Sequence, residues 1–89
     1  MKALIIIQGL VQGVGYRFFT VEQAKRFNIR GYVKNLPDGS VEVIAEGEEK
    51  NINDFIEQLK IGPASAQVTD VEVKWEDVEF GFSDFDIRY

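Results

Sequence analysis

Gly9-Leu10-Val11-Gln12-Gly13-Val14-Gly15-Tyr16-Arg17 lies between two unlike neighbours. Before it runs Ala3-Leu4-Ile5-Ile6-Ile7, an apolar stretch that reads as a buried strand within residues 2–10. After it, residues 17–28 read as a helix, with Phe18, Val21, Ala24, Lys25 and Phe27 on one stripe and Glu22, Gln23 and Arg26 facing water. A strand that passes straight into a helix across a glycine-rich joint opens a strand–helix–strand unit. The glycines also allow positive φ and close approach of backbone to a ligand. Successive N–H groups on the cradle formed by Val11, Gln12, Gly13, Val14, Gly15 and Tyr16 can then converge on an anion. The helix that follows adds its unpaired N–H groups and the positive end of its dipole. Arg17 sets a forked, permanently charged donor at the mouth. The stretch reads as a small-anion site, with phosphate the first choice.

A plain turn would use the same glycines. The spacing matches neither the P-loop nor the dinucleotide fingerprint, and no Gly-Lys-Ser/Thr ending implies a nucleotide with magnesium. Arg17 tips the reading toward a ligand. A cation in the first turn opposes the helix dipole, and residues set against local preference mark functional positions.

The remaining elements follow from pattern. Residues 31–36 read as a second strand, Pro37-Asp38-Gly39 as a turn, and 40–46 as a third strand with valines inward and glutamates outward, so the pair forms an antiparallel hairpin. A second helix over about 49–61 carries Ile52, Phe55, Ile56 and Leu59 on one face and stops at Gly62-Pro63. The acidic cluster Glu46–Glu49 reads as a solvated helix start rather than a set of metal ligands. Residues 68–78 alternate Val71, Val73 and Trp75 with charged neighbours, as a half-buried strand does. A loop at 79–84 with Phe80 and Phe82 leads to a short edge strand at 85–89. The order βαββαβ is that of an α+β, ferredoxin-like split βαβ sandwich: two helices on one face of an antiparallel sheet, here with a short extra C-terminal strand.

Composition narrows the chemistry. The 89 residues are enough for one domain, 1–89, and 45% hydrophobic content with two prolines is that of a globule. With no cysteine and no histidine, thiol catalysis, thiolate metal sites and the usual general base are excluded. A net charge of −5 weighs against non-specific binding to nucleic acid. The apolar opening is too short to span a membrane and lacks the pattern of a signal peptide. A cytoplasmic protein is expected.

Val11-Gln12-Gly13-Val14-Gly15-Tyr16-Arg17, with Gly31-Tyr32-Val33-Lys34-Asn35 and Gly39-Ser40-Val41, resembles the acylphosphatase family, and the ending Phe85-Asp86-Ile87-Arg88-Tyr89 is similar to that family's ending. The likeness runs through the whole chain. It departs at Leu10, where the family commonly has arginine. The resemblance implies hydrolysis of the carboxyl–phosphate bond of acyl phosphates to a carboxylate and inorganic phosphate, without metal or cofactor. It implies Arg17 as the phosphate-binding arginine, Asn35 as the water-positioning asparagine, and backbone from Gln12 to Tyr16 around the phosphoryl oxygens. Lys34, of opposite parity to Asn35, is expected at the surface, and Tyr16 under the loop. The expected partner is a small acyl phosphate, with inorganic phosphate as product or inhibitor, no nucleic acid or membrane, and a monomeric chain.

Two rivals remain at this point. One is a non-catalytic small-anion or metabolite-binding regulatory module on the same fold. The other is an RNA-binding sheet surface built around Tyr32 and the C-terminal aromatics, which the acidic balance opposes.

Overall fold

A computed structural model describes residues 1–78 and 81–89. Seven elements follow one another: β1 (Lys2–Leu10), α1 (Tyr16–Arg26), β2 (Arg30–Asn35), β3 (Val41–Glu46), α2 (Glu49–Ile61), β4 (Gln67–Glu76) and β5 (Phe85–Arg88). The sheet order is β4-β1-β3-β2-β5, the ferredoxin-like order extended by one strand. β1, β2, β3 and β4 pair antiparallel, whereas β5 runs parallel to β2, Val33 opposite Ile87, at the sheet edge.

The period-2 pattern sorts the strands onto two faces. Ala3, Ile5 and Ile7 of β1, Val33 of β2, and Val41, Val43 and Ala45 of β3 are fully buried on the helix-covered face. Helix α2 covers them with Ile52, Phe55, Ile56 and Leu59, the i, i+3, i+4, i+7 stripe. Burying side chains of this size stabilises by about 1.5–3 kcal/mol each. Phe55 meets Phe85 of β5 edge-on, 6.0 Å between ring centroids, which ties the last strand to the core.

Four expectations are corrected. Helix α1 begins at Tyr16, one residue early, and buries Tyr16, Thr20 and Ala24, an i, i+4, i+8 ridge. Phe18 is therefore turned outward, 68% exposed, and Lys25 is exposed with it; Val21 and Phe27 stay half-buried against the core. Thr20 tolerates burial because its hydroxyl donates to Tyr16 O within the helix, 2.8 Å. Glu46, expected outward, is fully buried. The segment before β5 folds over that face, and Phe82 N–H donates to Glu46 Oε1 at 3.0 Å. Trp75 is exposed because β4 is the other edge strand, where the helices give less cover. Phe80 lies outside the described residues.

Gly9, one of the three joint glycines, serves strand pairing rather than the loop. The β1–β4 register shifts between Gln8 and Gly9, and a Cβ at Gly9 would sit 2.0 Å from Gln67 O. A bulge with φ of +125° and backbone this close accepts only glycine.

Candidate active site

The chain leaves β1 at Leu10 and enters α1 at Tyr16 through five residues of irregular backbone, Val11 to Gly15. Val11 plugs this loop into the core, 1% exposed. Gly15 stands at the N-cap in the left-handed region, φ 77° and ψ 16°. A Cβ there would touch nothing within 4 Å, so the demand for glycine is conformational rather than steric. No side chain caps α1 and its first turn holds no acidic residue. The first helical hydrogen bond runs from Phe19 N–H to Gly15 O, 3.0 Å, which leaves the N–H groups of Tyr16, Arg17 and Phe18 as orphan donors. An uncapped N-terminus with exposed donors and positive potential suits an anion.

A cavity of about 160 Å³ opens at this turn, lined by Val11, Gly13, Gly15, Tyr16, Arg17, Phe18, Asn35, Ile87 and Tyr89. Asn35 arrives as the last residue of β2, opposite Val41 of β3, and shares the inward parity of Val33. Its Oδ1 is buried and has no hydrogen-bond partner among the described residues. Buried polar atoms are nearly always paired, so an unpaired carbonyl oxygen on a residue that lines a cavity points to an acceptor kept for a ligand or water. Lys34, of opposite parity, does not line the cavity.

Arg17 is the one charged side chain among the described residues lining the cavity. Its guanidinium lies over the Tyr89 ring, 5.0 Å from the centroid. At an exposed site this contact contributes about 0.5–1 kcal/mol and restricts where the guanidinium can point. Tyr16 packs beneath the loop, 1% exposed, and its hydroxyl donates to Leu59 O at 2.6 Å. Leu59 lies in the last turn of α2, where carbonyls lack helical partners, so α1 satisfies an end of α2. Burial pushes the Tyr16 phenol well above its ordinary value, which keeps it a neutral donor.

The hairpin beside the cavity is held by its own bonds. Gly39 N–H donates to Leu36 O at 3.2 Å and Leu36 N–H to Ser40 O at 2.9 Å. Asp38 Oδ1 accepts from the Ser40 hydroxyl and from Ser40 N–H, and these bonds, the hydroxyl first, hold its carboxyl below the ordinary range. Gln12 reaches this hairpin from the loop: its Nε2 donates to Leu36 O and Ser40 O, 2.8 Å each.

Of the residues singled out in the sequence, the cavity brings together Val11, Gly13, Gly15, Tyr16, Arg17 and Asn35. Gln12 and Val14 do not line it: Gln12 turns to the hairpin and Val14 packs on the core. Phe18, Ile87 and Tyr89 were not anticipated there. Parity along β5 puts Ile87 and Tyr89 on one side, but only the parallel pairing with β2 carries them to Asn35.

The fold and this pocket define a ferredoxin-like α+β protein whose cavity combines an uncapped helix N-terminus with a guanidinium. The acylphosphatase family model matches residues 3–87. An acylphosphatase of Thermotoga petrophila is 47% identical over 90 residues, spanning 100% of this chain and 99% of its own. One of Geotalea uraniireducens is 44% identical over 89 residues, spanning 100% and 98%. The crystal structure of acylphosphatase from Bacillus subtilis superposes with a TM-score of 0.97 at 40% identity, covering 99% of this chain and 98% of that one. The chain belongs to the acylphosphatase family. It is a hydrolase acting on acyl phosphates.

Proposed function

We propose that Arg17 and the N–H groups of the loop and first helical turn bind the phosphoryl group, and that Asn35 aims the attacking water. Asn35 Oδ1 carries this reading: it is a buried acceptor without a partner among the described residues, on a side chain that shares its cavity with Arg17. A neutral carboxamide is no base near pH 7, but its oxygen can accept from water and so orient it.

The chemistry asks little more. An acyl phosphate is a mixed anhydride with a good leaving group, so positioning and charge stabilisation dominate. A guanidinium at ~4 Å contributes about 4 kcal/mol of gross attraction at an effective dielectric of about 20. Each N–H donated to a charged oxygen adds about 1.5–3 kcal/mol. Water oxygen bonds to phosphorus, the phosphorus–acyl oxygen bond breaks, and its electrons leave with the carboxylate. The water's proton passes to a phosphoryl oxygen of the substrate, because no side chain lining the cavity among the described residues is a carboxylate or an imidazole. A pH–rate profile with a sharp limb set by an enzyme carboxylate would overturn that last step.

We further propose one catalytic unit over residues 1–89, monomeric and cytoplasmic, with inorganic phosphate as product and inhibitor and no nucleic-acid partner. One contiguous cluster of buried side chains supports the single unit. No described helix is long and apolar enough to cross a membrane. Tyr32, which an RNA reading would need for stacking, has Arg88 over its ring at 4.1 Å and Phe82 against it at 6.0 Å.

Steady-state hydrolysis of an aromatic acyl phosphate tests the two roles. Arg17→Ala is expected to lose turnover and phosphate inhibition together. Asn35→Ala keeps phosphate inhibition while kcat falls about 10²-fold or more, as when one positioned group of an active site is removed. Near-full turnover in Asn35→Ala sinks its role.

A further inference from the structure

We propose that the side chain of Gln12 is a positioning residue: it locks the hairpin that carries Asn35 to the loop that leads into Arg17. The proposal rests on the role given to Asn35 above. Gln12 sits in the middle of the anion loop, yet its carboxamide turns from the cavity. One nitrogen, Nε2, donates to both Leu36 O and Ser40 O at 2.8 Å. Leu36 directly follows Asn35, and Ser40 directly precedes Val41, the residue paired with Asn35. The amide thus grips both chains of the hairpin next to the rung that bears Asn35.

Neither carbonyl needs Gln12 for a partner. Leu36 O also accepts from Gly39 N–H at 3.2 Å, and Ser40 O from Leu36 N–H at 2.9 Å. The hairpin closes by itself; the amide adds a fixed spacing between hairpin and loop. Two bonds from one planar group set orientation as well as distance. The loop requires such a tie, because its backbone is irregular and carries Gly13 and Gly15 at positive φ. Without the clamp, the arginine and the carboxamide can drift apart while each remains intact. A misplacement of about 1 Å at a reacting centre can cost about 10²-fold in rate.

The test compares Gln12→Ala and Gln12→Met, the latter keeping the volume without the donors, with Asn35→Ala and the Gln12→Met/Asn35→Ala pair. Benzoyl phosphate is the substrate, inorganic phosphate the inhibitor, and circular dichroism confirms that each variant is folded at the assay temperature. The expected result is a fall in kcat of about tenfold or more, with KM and the phosphate inhibition constant changed less than about threefold. The pair should be no slower than Asn35→Ala alone, since both changes act through one carboxamide. In Gln12→Glu the ionised carboxylate faces two carbonyl oxygens and repels them, whereas the protonated form can donate to one. Its kcat should therefore recover as pH falls, a limb absent from the parent.

Parental kcat in folded Gln12→Met beside a slow Asn35→Ala overturns this proposal alone. So does a rise in KM and phosphate inhibition constant that matches the fall in kcat, which would assign Gln12 to the anion loop. Parental turnover in Asn35→Ala overturns the role of Asn35, and this proposal with it.

Discussion

The two helices pack on the same sheet face and obey the rules of helix formation to different degrees. Helix α2 has a clean apolar stripe, Glu49 in its first turn, Lys60 in its last, and Gly62 just past its end. Each feature agrees with helix geometry and dipole. Helix α1 starts on a left-handed glycine without a cap, places Arg17 at the positive end of its dipole, and exposes Phe18. What α1 gives up locally, it presents to the cavity: orphan N–H groups, a guanidinium and an open backbone approach. One helix follows local preference, and the departures of the other fall where it borders the cavity.

The largest expected contrast is in stability. Phe55→Ala removes a fully buried ring that touches Phe85 and should cost about 3–5 kcal/mol in urea unfolding. That is a large share of the margin of a domain this size. Phe18→Ala, at a ring of similar size on α1, should stay within about 0.5 kcal/mol of the parent, as exposed substitutions do. Equal losses from the two would collapse the division of labour between the helices.

Tyr16 is where the helices depend on one another. Tyr16→Phe deletes the hydroxyl that donates to Leu59 O and leaves a terminal carbonyl of α2 buried without that donor. The expected cost is about 1–3 kcal/mol, read by the same unfolding experiment, with kcat unchanged within about twofold. A variant as stable as the parent would show that water takes over at Leu59 O and that α2 ends without help from α1.

How far the sequence revealed this molecule follows the same divide. The stripe of α2, the Pro37-Asp38-Gly39 turn and the strands β1 and β3 were legible, because period, turn chemistry and burial all agree there. Phe18 was misplaced because the α1 pattern is ambiguous: Phe18-Val21-Ala24 and Tyr16-Thr20-Ala24 both have helical spacing, and the helix buries the second ridge. Glu46 sits on the parity that faces outward, and its burial depends on partners distant in sequence, the backbone N–H of Phe82 among them. Arg17 and Asn35 were legible as members of a motif, and the structure brings both to one cavity. Tyr89 over Arg17 was not, since it depends on β5 running parallel along β2, a pairing that no local pattern specifies.

The smallest expected effect is the most specific to α1. Replacing Arg17 acts on stability through two terms of opposite sign. Removing a cation from the first turn relieves about 0.3–1 kcal/mol of unfavourable dipole interaction. Losing the contact with Tyr89 gives back about 0.5–1 kcal/mol. Arg17→Ala should therefore unfold within about 0.5 kcal/mol of the parent, although its turnover is lost. Arg17→Glu separates the two terms, because it lacks the same ring contact yet places an anion where the dipole favours one. It should be more stable than Arg17→Ala by about 0.3–1 kcal/mol at low ionic strength. Raising salt to 1 M, where the Debye length is about 3 Å, should erase most of that difference. An Arg17→Glu chain less stable than Arg17→Ala at low salt would mean that the N-terminus of α1 does not present a positive field to the cavity. The electrostatic argument for an anion held there would then rest on the guanidinium alone.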